Sequence, residues 1–233
     1  MAISSTIMGI YQFFFFKGLA TGLAGAGGVL VTTTSPIFTF ILIAIAAKKK
    51  LSFRENLGLF IGFVSAVFFL ELWAFNIPQI IQSGTAYFLL ASIAWALLTV
   101  LREKITAPSL LYSFYLTLPL PFVFAFGVPA SEWTELPTLG PIFWGNILYI
   151  ATFGTLYSTT AFFYATKTLG AKTSSSFVFL VPLFAVMTAI LVLHEPISWE
   201  TWVAGMAALV SVYILNTKKQ PIRKGINKTA TKV

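Results

Sequence analysis

The sequence predicts an all-α membrane protein with eight transmembrane helices, arranged as an incomplete inverted repeat of three helices plus five. Three observations carry this expectation. The chain is 58% hydrophobic and only 9% charged, whereas soluble domains are nearer ~45–50% apolar and ~25% charged. Its apolar residues fall into eight runs that approach the ~20 residues a helix needs to cross a bilayer. Two of those runs share one design: "GGVLVTTTSPIFTFILIAIAAKKK" from Gly27 and "SSSFVFLVPLFAVMTAILVLHEP" from Ser174 each carry a proline near the middle.

In chain order the spans are 3–22, 26–47, 55–73, 84–101, 109–128, 142–166, 173–193 and 200–216. The first is read as a retained helix. Ala24-Gly25-Ala26 fits a small-residue cleavage pattern, but no Lys or Arg precedes the apolar run and Lys17 interrupts it. The second and seventh carry Pro36 and Pro182. Proline removes a backbone hydrogen bond and kinks a helix. In lipid the freed carbonyl needs a partner, so such kinks belong in protein-buried or cavity-lining positions. Thr32, Thr33 and Thr34 stand ready beside Pro36. The fourth span holds Trp95, and the sixth is rich in hydroxyls. None of the runs shows the alternation of a membrane barrel. The tail, 217–233, is polar and basic and is expected to be disordered.

Charge orients the bundle. With both termini cytoplasmic, the inner connections carry Lys48, Lys49, Lys50, Arg54, Arg102, Lys104, Lys167 and Lys172, and the tail adds six more basic residues. The outer connections hold Glu71, Glu132, Glu135, Glu195 and Glu200. Only Lys17 lies towards the outside. The positive-inside rule therefore has one solution. It also accounts for the formal net charge of +8 by attraction of a basic tail to anionic lipid, with no nucleic-acid partner.

Superposing Pro36 on Pro182 fixes an offset of 146 positions. That offset also pairs Thr6 with Thr152, Tyr11 with Tyr157, Phe16 with Phe162, Ser52 with Ser198 and Ser65 with Ser211. Copies that start on the first and sixth spans must cross the membrane in opposite directions, so equivalent loops should reverse charge. They do: Lys48-Lys49-Lys50 and Arg54 correspond to His194-Glu195-Pro196 and Glu200. The expected division is a first repeat at 1–76, a second at 77–216 and the cytoplasmic tail.

These stretches resemble the EamA-type family of the drug/metabolite transporter superfamily. The resemblance rests on "FFFFKGLATGLAGAGGVLVTTTSPIFT" with "KKKLSFRENLGLFIGFVSAV" in the first copy. In the second it rests on "AFFYATKTLGAKTSSSFVFLVPLFAVMTAILVLHEPISWETWVAGMAALVSV", and "GTAYFLLASIAWALLTVLREK" resembles the first helix of the family's second half. It implies an inverted-repeat transporter bundle, in a cell membrane, that moves a small metabolite by alternating access as exporter, exchanger or facilitator. The family has ten helices as five plus five, so this chain corresponds to three plus five. A non-transporting scaffold or the remnant of a transporter is the alternative. Gly25, Gly27, Gly28, Gly58 and Gly62 are expected to form an exposed small-residue face that would favour contact with another subunit, such as a homo-oligomer partner.

The expected pathway residues are Tyr11, Gln12, Trp95, Tyr157 and Ser158, bent around Pro36 and Pro182. Polar groups in lipid are costly unless they face a partner or water. Helix-to-helix hydrogen bonding accounts for any single Ser or Thr, but the repeat puts Tyr11 and Tyr157 at equivalent positions. Lys17 is a candidate contact for an anionic solute group, with snorkelling as the plainer account. An enzyme is not expected. There is no Cys and one His, no HExxH, GxSxG or P-loop pattern, and no cofactor or metal is implied. All seven acidic residues are glutamates at helix ends or connections, which disfavours proton coupling through a carboxylate.

Overall fold

Long apolar runs cannot leave backbone N–H and C=O groups unpaired in lipid, and helices pair them internally. A computed structural model of the chain describes residues 1–21, 24–70, 84–127, 133–134, 136–194 and 198–217. Among these residues there are eight helical rods and no strand. They are α1 (Ala2–Thr21), α2 (Ala24–Ala46), α3 (Phe53–Phe69), α4 (Thr85–Lys104) and α5 (Ser109–Ala125). Then come α6 (141–169), α7 (171–193) and α8 (Trp199–Asn216). Each matches one expected span to within a few residues. Gly27–Ala46, Thr85–Lys104 and Ala171–Val192 are each long and apolar enough to cross a membrane. The tail beyond Thr217, and Glu71, Glu132, Glu135 and Glu195, lie outside the described residues.

Two seams organise the bundle. Along one, α4 lies against both α1 and α2; along the other, α3 runs beside α8. Met8, Leu98, Tyr112, Leu116, Leu120 and Phe163 knit α1, α4, α5 and α6 into one core. Phe40, Leu59, Phe179 and Val212 knit α2, α3, α7 and α8 into a second.

The α3–α8 seam carries the signature of the repeat. Ser65 Oγ donates to the Ala204 carbonyl at 2.8 Å, and Ser211 Oγ donates to the Gly58 carbonyl at 2.7 Å. Ser65 and Ser211 are 146 positions apart, and so are Gly58 and Ala204. The two bonds exchange under the sequence offset, as a two-fold axis requires. As the chain advances along α3, its partners recede along α8, so the helices are antiparallel and the copies inverted.

Helix ends repeat the relation. Ser52 and Ser198 are both extended N-caps, and each hydroxyl accepts from the N–H three residues on, in Glu55 and Thr201. Lys48 (φ 51°) and His194 (φ 55°), again 146 apart, are the non-glycine residues with positive φ among the described residues. α2 and α7 thus end in the same left-handed turn, although its residue differs between copies.

Both prolines are buried, but the copies absorb them differently. α2 stays α-helical through Pro36. The three threonines donate one turn upstream, to the carbonyls of Gly28, Val29 and Leu30 at 2.8, 2.7 and 2.6 Å, and not to the Thr32 carbonyl that Pro36 frees. In α7, Val178–Leu180 tightens into a 3₁₀ turn, and Val181 N–H donates to the Val178 carbonyl that Pro182 leaves open.

One expectation is overturned. The glycine face is not free for another subunit. A Cβ on Gly27 would stand 2.1 Å from Phe88 Cζ, one on Gly58 2.7 Å from Leu215, and one on Gly62 2.5 Å from Phe179. Large side chains of the same chain fill these notches. Of the glycines expected on that face, Gly28 faces open space, and the surroundings of Gly25 lie outside the described residues. The unpartnered surface is on α6 instead. No residue of Pro141–Tyr149 or Ile150–Tyr157 is buried, and the latter stretch is wound as a π-helix. The equivalent part of α1 carries buried Ser4 and Met8 and is α-helical throughout.

Candidate functional site

Where α1, α4 and α6 meet, aromatic rings form a continuous stack. The Tyr11 and Trp95 centroids are 5.0 Å apart, and Trp95 lies 5.4 Å from Phe162 and 5.8 Å from Phe163. α1 places Tyr11 one turn before Phe15, with which it also stacks at 5.7 Å. Tyr11, Trp95 and Phe162 pack against a buried core that includes Met8, Tyr112 and Phe163. The structure therefore joins Tyr11 and Trp95, with Gln12 beside Tyr11 and half-buried. Tyr157 and Ser158 stand apart, at the join between the π-wound and α-helical parts of α6. Tyr157 is 69% exposed, and the exposed Ser158 hydroxyl donates to the Phe153 carbonyl at 2.7 Å. Lys17 is exposed on α1.

Two groups escaped sequence reasoning. The first is a set of buried hydroxyls on α2, α4 and α7, including Thr39, Ser92, Thr99 and Ser174. Thr34 Oγ1 lies 2.7 Å from Ser92 Oγ, within hydrogen-bond reach, which ties the first copy to the second beside Pro36. Ser174 Oγ has no partner. Three successive threonines before a proline were the available signal; what they face was not.

The second is Arg102. Its sequence position suggested a solvated inner connection, yet it is 1% exposed in the last turn of α4. Its Nε donates to the Phe163 carbonyl at 3.3 Å and Nη1 to Ile105 at 2.9 Å. Nη2 donates to Ala107 at 3.0 Å and to Ser109 Oγ at 2.8 Å. The guanidinium also lies 4.8 Å from the Tyr112 ring centroid. The fork thus binds the α4–α5 turn to α6 immediately beneath the aromatic stack.

The ionic groups lie at this same end. Lys167 Nζ donates to the Ile105 carbonyl at 2.8 Å, Glu103 Oε1 accepts from Ala171 N–H at 2.6 Å, and Lys172 pairs with Glu55. Gly170, at φ 94°, makes the one-residue turn from α6 to α7 that brings these groups together. No group of three His, Cys, Asp or Glu residues that could hold a metal occurs among the described residues. What the arrangement offers is a neutral, aromatic and hydroxyl-bearing interior with charge confined to its ends.

A polytopic helical bundle built on an antiparallel two-fold seam has the architecture of an inverted-repeat membrane protein. The chain belongs to the EamA-like transporter family, whose pattern matches residues 82–217, from the start of α4 to the end of α8. It is 29% identical over 230 residues to an uncharacterized transporter of Synechocystis sp., covering 91% of this chain and 68% of that protein. An uncharacterized transporter of Archaeoglobus fulgidus is 24% identical over 213 residues, with 90% and 74% covered. The uncharacterized transporter YoaV of Bacillus subtilis is 25% identical over 206 residues, with 84% and 68% covered. The family thus supports membrane transport of a small molecule in place of catalysis.

Proposed function

We propose that the chain moves a small neutral, zwitterionic or amphipathic metabolite across a cell membrane by alternating access between two inverted halves, residues 1–76 and 77–216. Both termini and the 217–233 tail lie on the cytoplasmic side in this reading. The observation that carries it is the reciprocal pair of Ser65 and Ser211 hydrogen bonds. Halves related by a two-fold axis in the membrane plane can exchange roles, closing first one end and then the other. The Tyr11–Trp95 pair, with Gln12 and the buried hydroxyls of α2, α4 and α7, lines the proposed path. Tyr157 and Ser158 join it only if α6 turns its exposed face inward.

Coupling to protons through a carboxylate finds no support in the described glutamates. Glu55 and Glu200 sit in the first turns of α3 and α8, and Glu103 is one residue from the end of α4. Facilitated diffusion or exchange is the reading. A second reading, an incomplete bundle that acts with further membrane helices or a second copy, is favoured by the bare face of α6, where Trp144, Leu148 and Phe153 are exposed.

Reconstitution separates the two. Proteoliposomes holding the full chain are assayed against a panel of neutral, zwitterionic and amphipathic metabolites, with and without an imposed pH gradient. Saturable uptake that ignores the gradient, with a raised half-saturation concentration in Tyr11→Ala, supports the first reading. Uptake equal to empty liposomes across the panel supports the second.

A further inference from the structure

The two-fold relation tests every contact between α1–α3 and α6–α8, because each should have an image 146 positions away at the opposite end of the bundle. The serine bonds of the α3–α8 seam pass. The ion pair between Lys172 and Glu55 does not. Lys172 opens α7, in the second copy, and Glu55 lies in the first turn of α3, in the first. Their side chains are only 24% and 23% exposed. The Lys172 ammonium also sits 5.2 Å from the Phe40 ring centroid on α2, so both of its partners belong to the first half. Glu55 is fixed from behind: Oε2 accepts from Ser52 N–H at 2.8 Å and from Ser52 Oγ at 3.0 Å. A cation in the first turn of a helix is disfavoured by the helix dipole, so Lys172 depends on this carboxylate.

The images of Glu55, Lys172 and Phe40 are Thr201, Ala26 and Val186. They can form neither an ion pair nor a cation–π contact. Arg54, which donates from α3 to the Ile214 carbonyl of α8 at 2.7 Å, has Glu200 as its image, which cannot donate. These polar contacts tie the halves together at the Lys/Arg-rich end, and the residues at the image positions cannot form the same contacts at the other. Two states that would be equivalent by symmetry are made unequal.

We propose that Glu55–Lys172 is a latch between the halves, which makes the state closed at the Lys/Arg-rich end the resting state and must part for that end to open. This rests on the alternating-access reading. Its test reads opening directly and does not need flux. The chain has no cysteine, so Thr39→Cys, at a fully buried position on α2 one residue from Phe40, reports entry of an impermeant maleimide. The full chain is labelled in vesicles that present the Lys/Arg-rich end to the reagent.

Glu55→Gln and Lys172→Gln should each raise the labelling rate about fivefold, the ratio expected for a pair at the upper end of partly exposed ion pairs. Glu55→Lys combined with Lys172→Glu should bring the rate back towards the unsubstituted value. A contact that only stabilises the fold would lower thermal stability without this change in rate and recovery by charge exchange. Unchanged labelling in both single variants, or a rise that the exchange leaves in place, overturns the latch. Flux is scored separately, so a latch that fails in a working transporter is distinguishable from a chain that carries nothing.

Discussion

Removing the Ser65 and Ser211 hydroxyls tests the two-fold seam energetically. Both residues are buried, at 1% and 0% exposure, and each donates across the interface at 2.8 or 2.7 Å. Ser→Ala deletes one donor. The accepting carbonyls of Ala204 and Gly58 lie inside helices and keep their own helical partners, so no orphaned acceptor is created. The cost is then the net value of one interhelical hydrogen bond, about 0.6 kcal/mol and at most ~1.7 kcal/mol in membrane proteins. The two sites are seven residues apart along each helix, roughly 10 Å, far enough for additivity within ~0.5 kcal/mol. Ser65→Ala and Ser211→Ala should therefore cost equal amounts, and the double variant about their sum, ~1.2 kcal/mol at the mean value. Reversible SDS unfolding in mixed micelles measures all three. Singles that differ by more than ~1 kcal/mol, or a double no weaker than either single, would refute the symmetric geometry.

Gly27→Ala places a Cβ 2.1 Å from Phe88 Cζ, which should cost about 1–3 kcal/mol by overpacking; Phe88→Leu added to it should recover part of that loss in the same unfolding assay. Arg102→Lys replaces a fork that reaches three carbonyls and Ser109 Oγ with a point charge. A loss of about 1.5–3 kcal/mol is expected, while Lys104→Gln, exposed two residues on, should stay within ~0.5 kcal/mol.

The eight spans were legible because apolar length and backbone satisfaction leave lipid-exposed segments little choice. The repeat was legible because Pro36 and Pro182, Ser52 and Ser198, and Ser65 and Ser211 share one offset, and the structure gives two of these serine pairs matching hydrogen-bond roles. Helix faces were harder. Rotation about an axis decides whether Gly27 meets lipid or Phe88, and an almost uniformly apolar helix such as α2 gives little signal of its rotation. Arg102 was misplaced for a related reason: a basic residue at a span's end reads as solvated, and its four acceptors appear only when the Ile105–Pro108 turn, Ser109 and the Phe163 carbonyl of α6 close around it. The pairing of Tyr11 with Trp95 depends on α4 lying against α1, a tertiary fact absent from the local pattern.

Inversion of the copies is the claim on which the rest depends, and one pair of labels tests it directly. Lys49 and Glu195 occupy equivalent positions, 146 residues apart, and the chain has no cysteine to confuse the readout. Single-cysteine variants at the two sites are treated with an impermeant maleimide in intact cells and again in inverted vesicles. Inversion predicts that Glu195→Cys labels in cells and Lys49→Cys only in inverted vesicles. Labelling of both from the same side would contradict it.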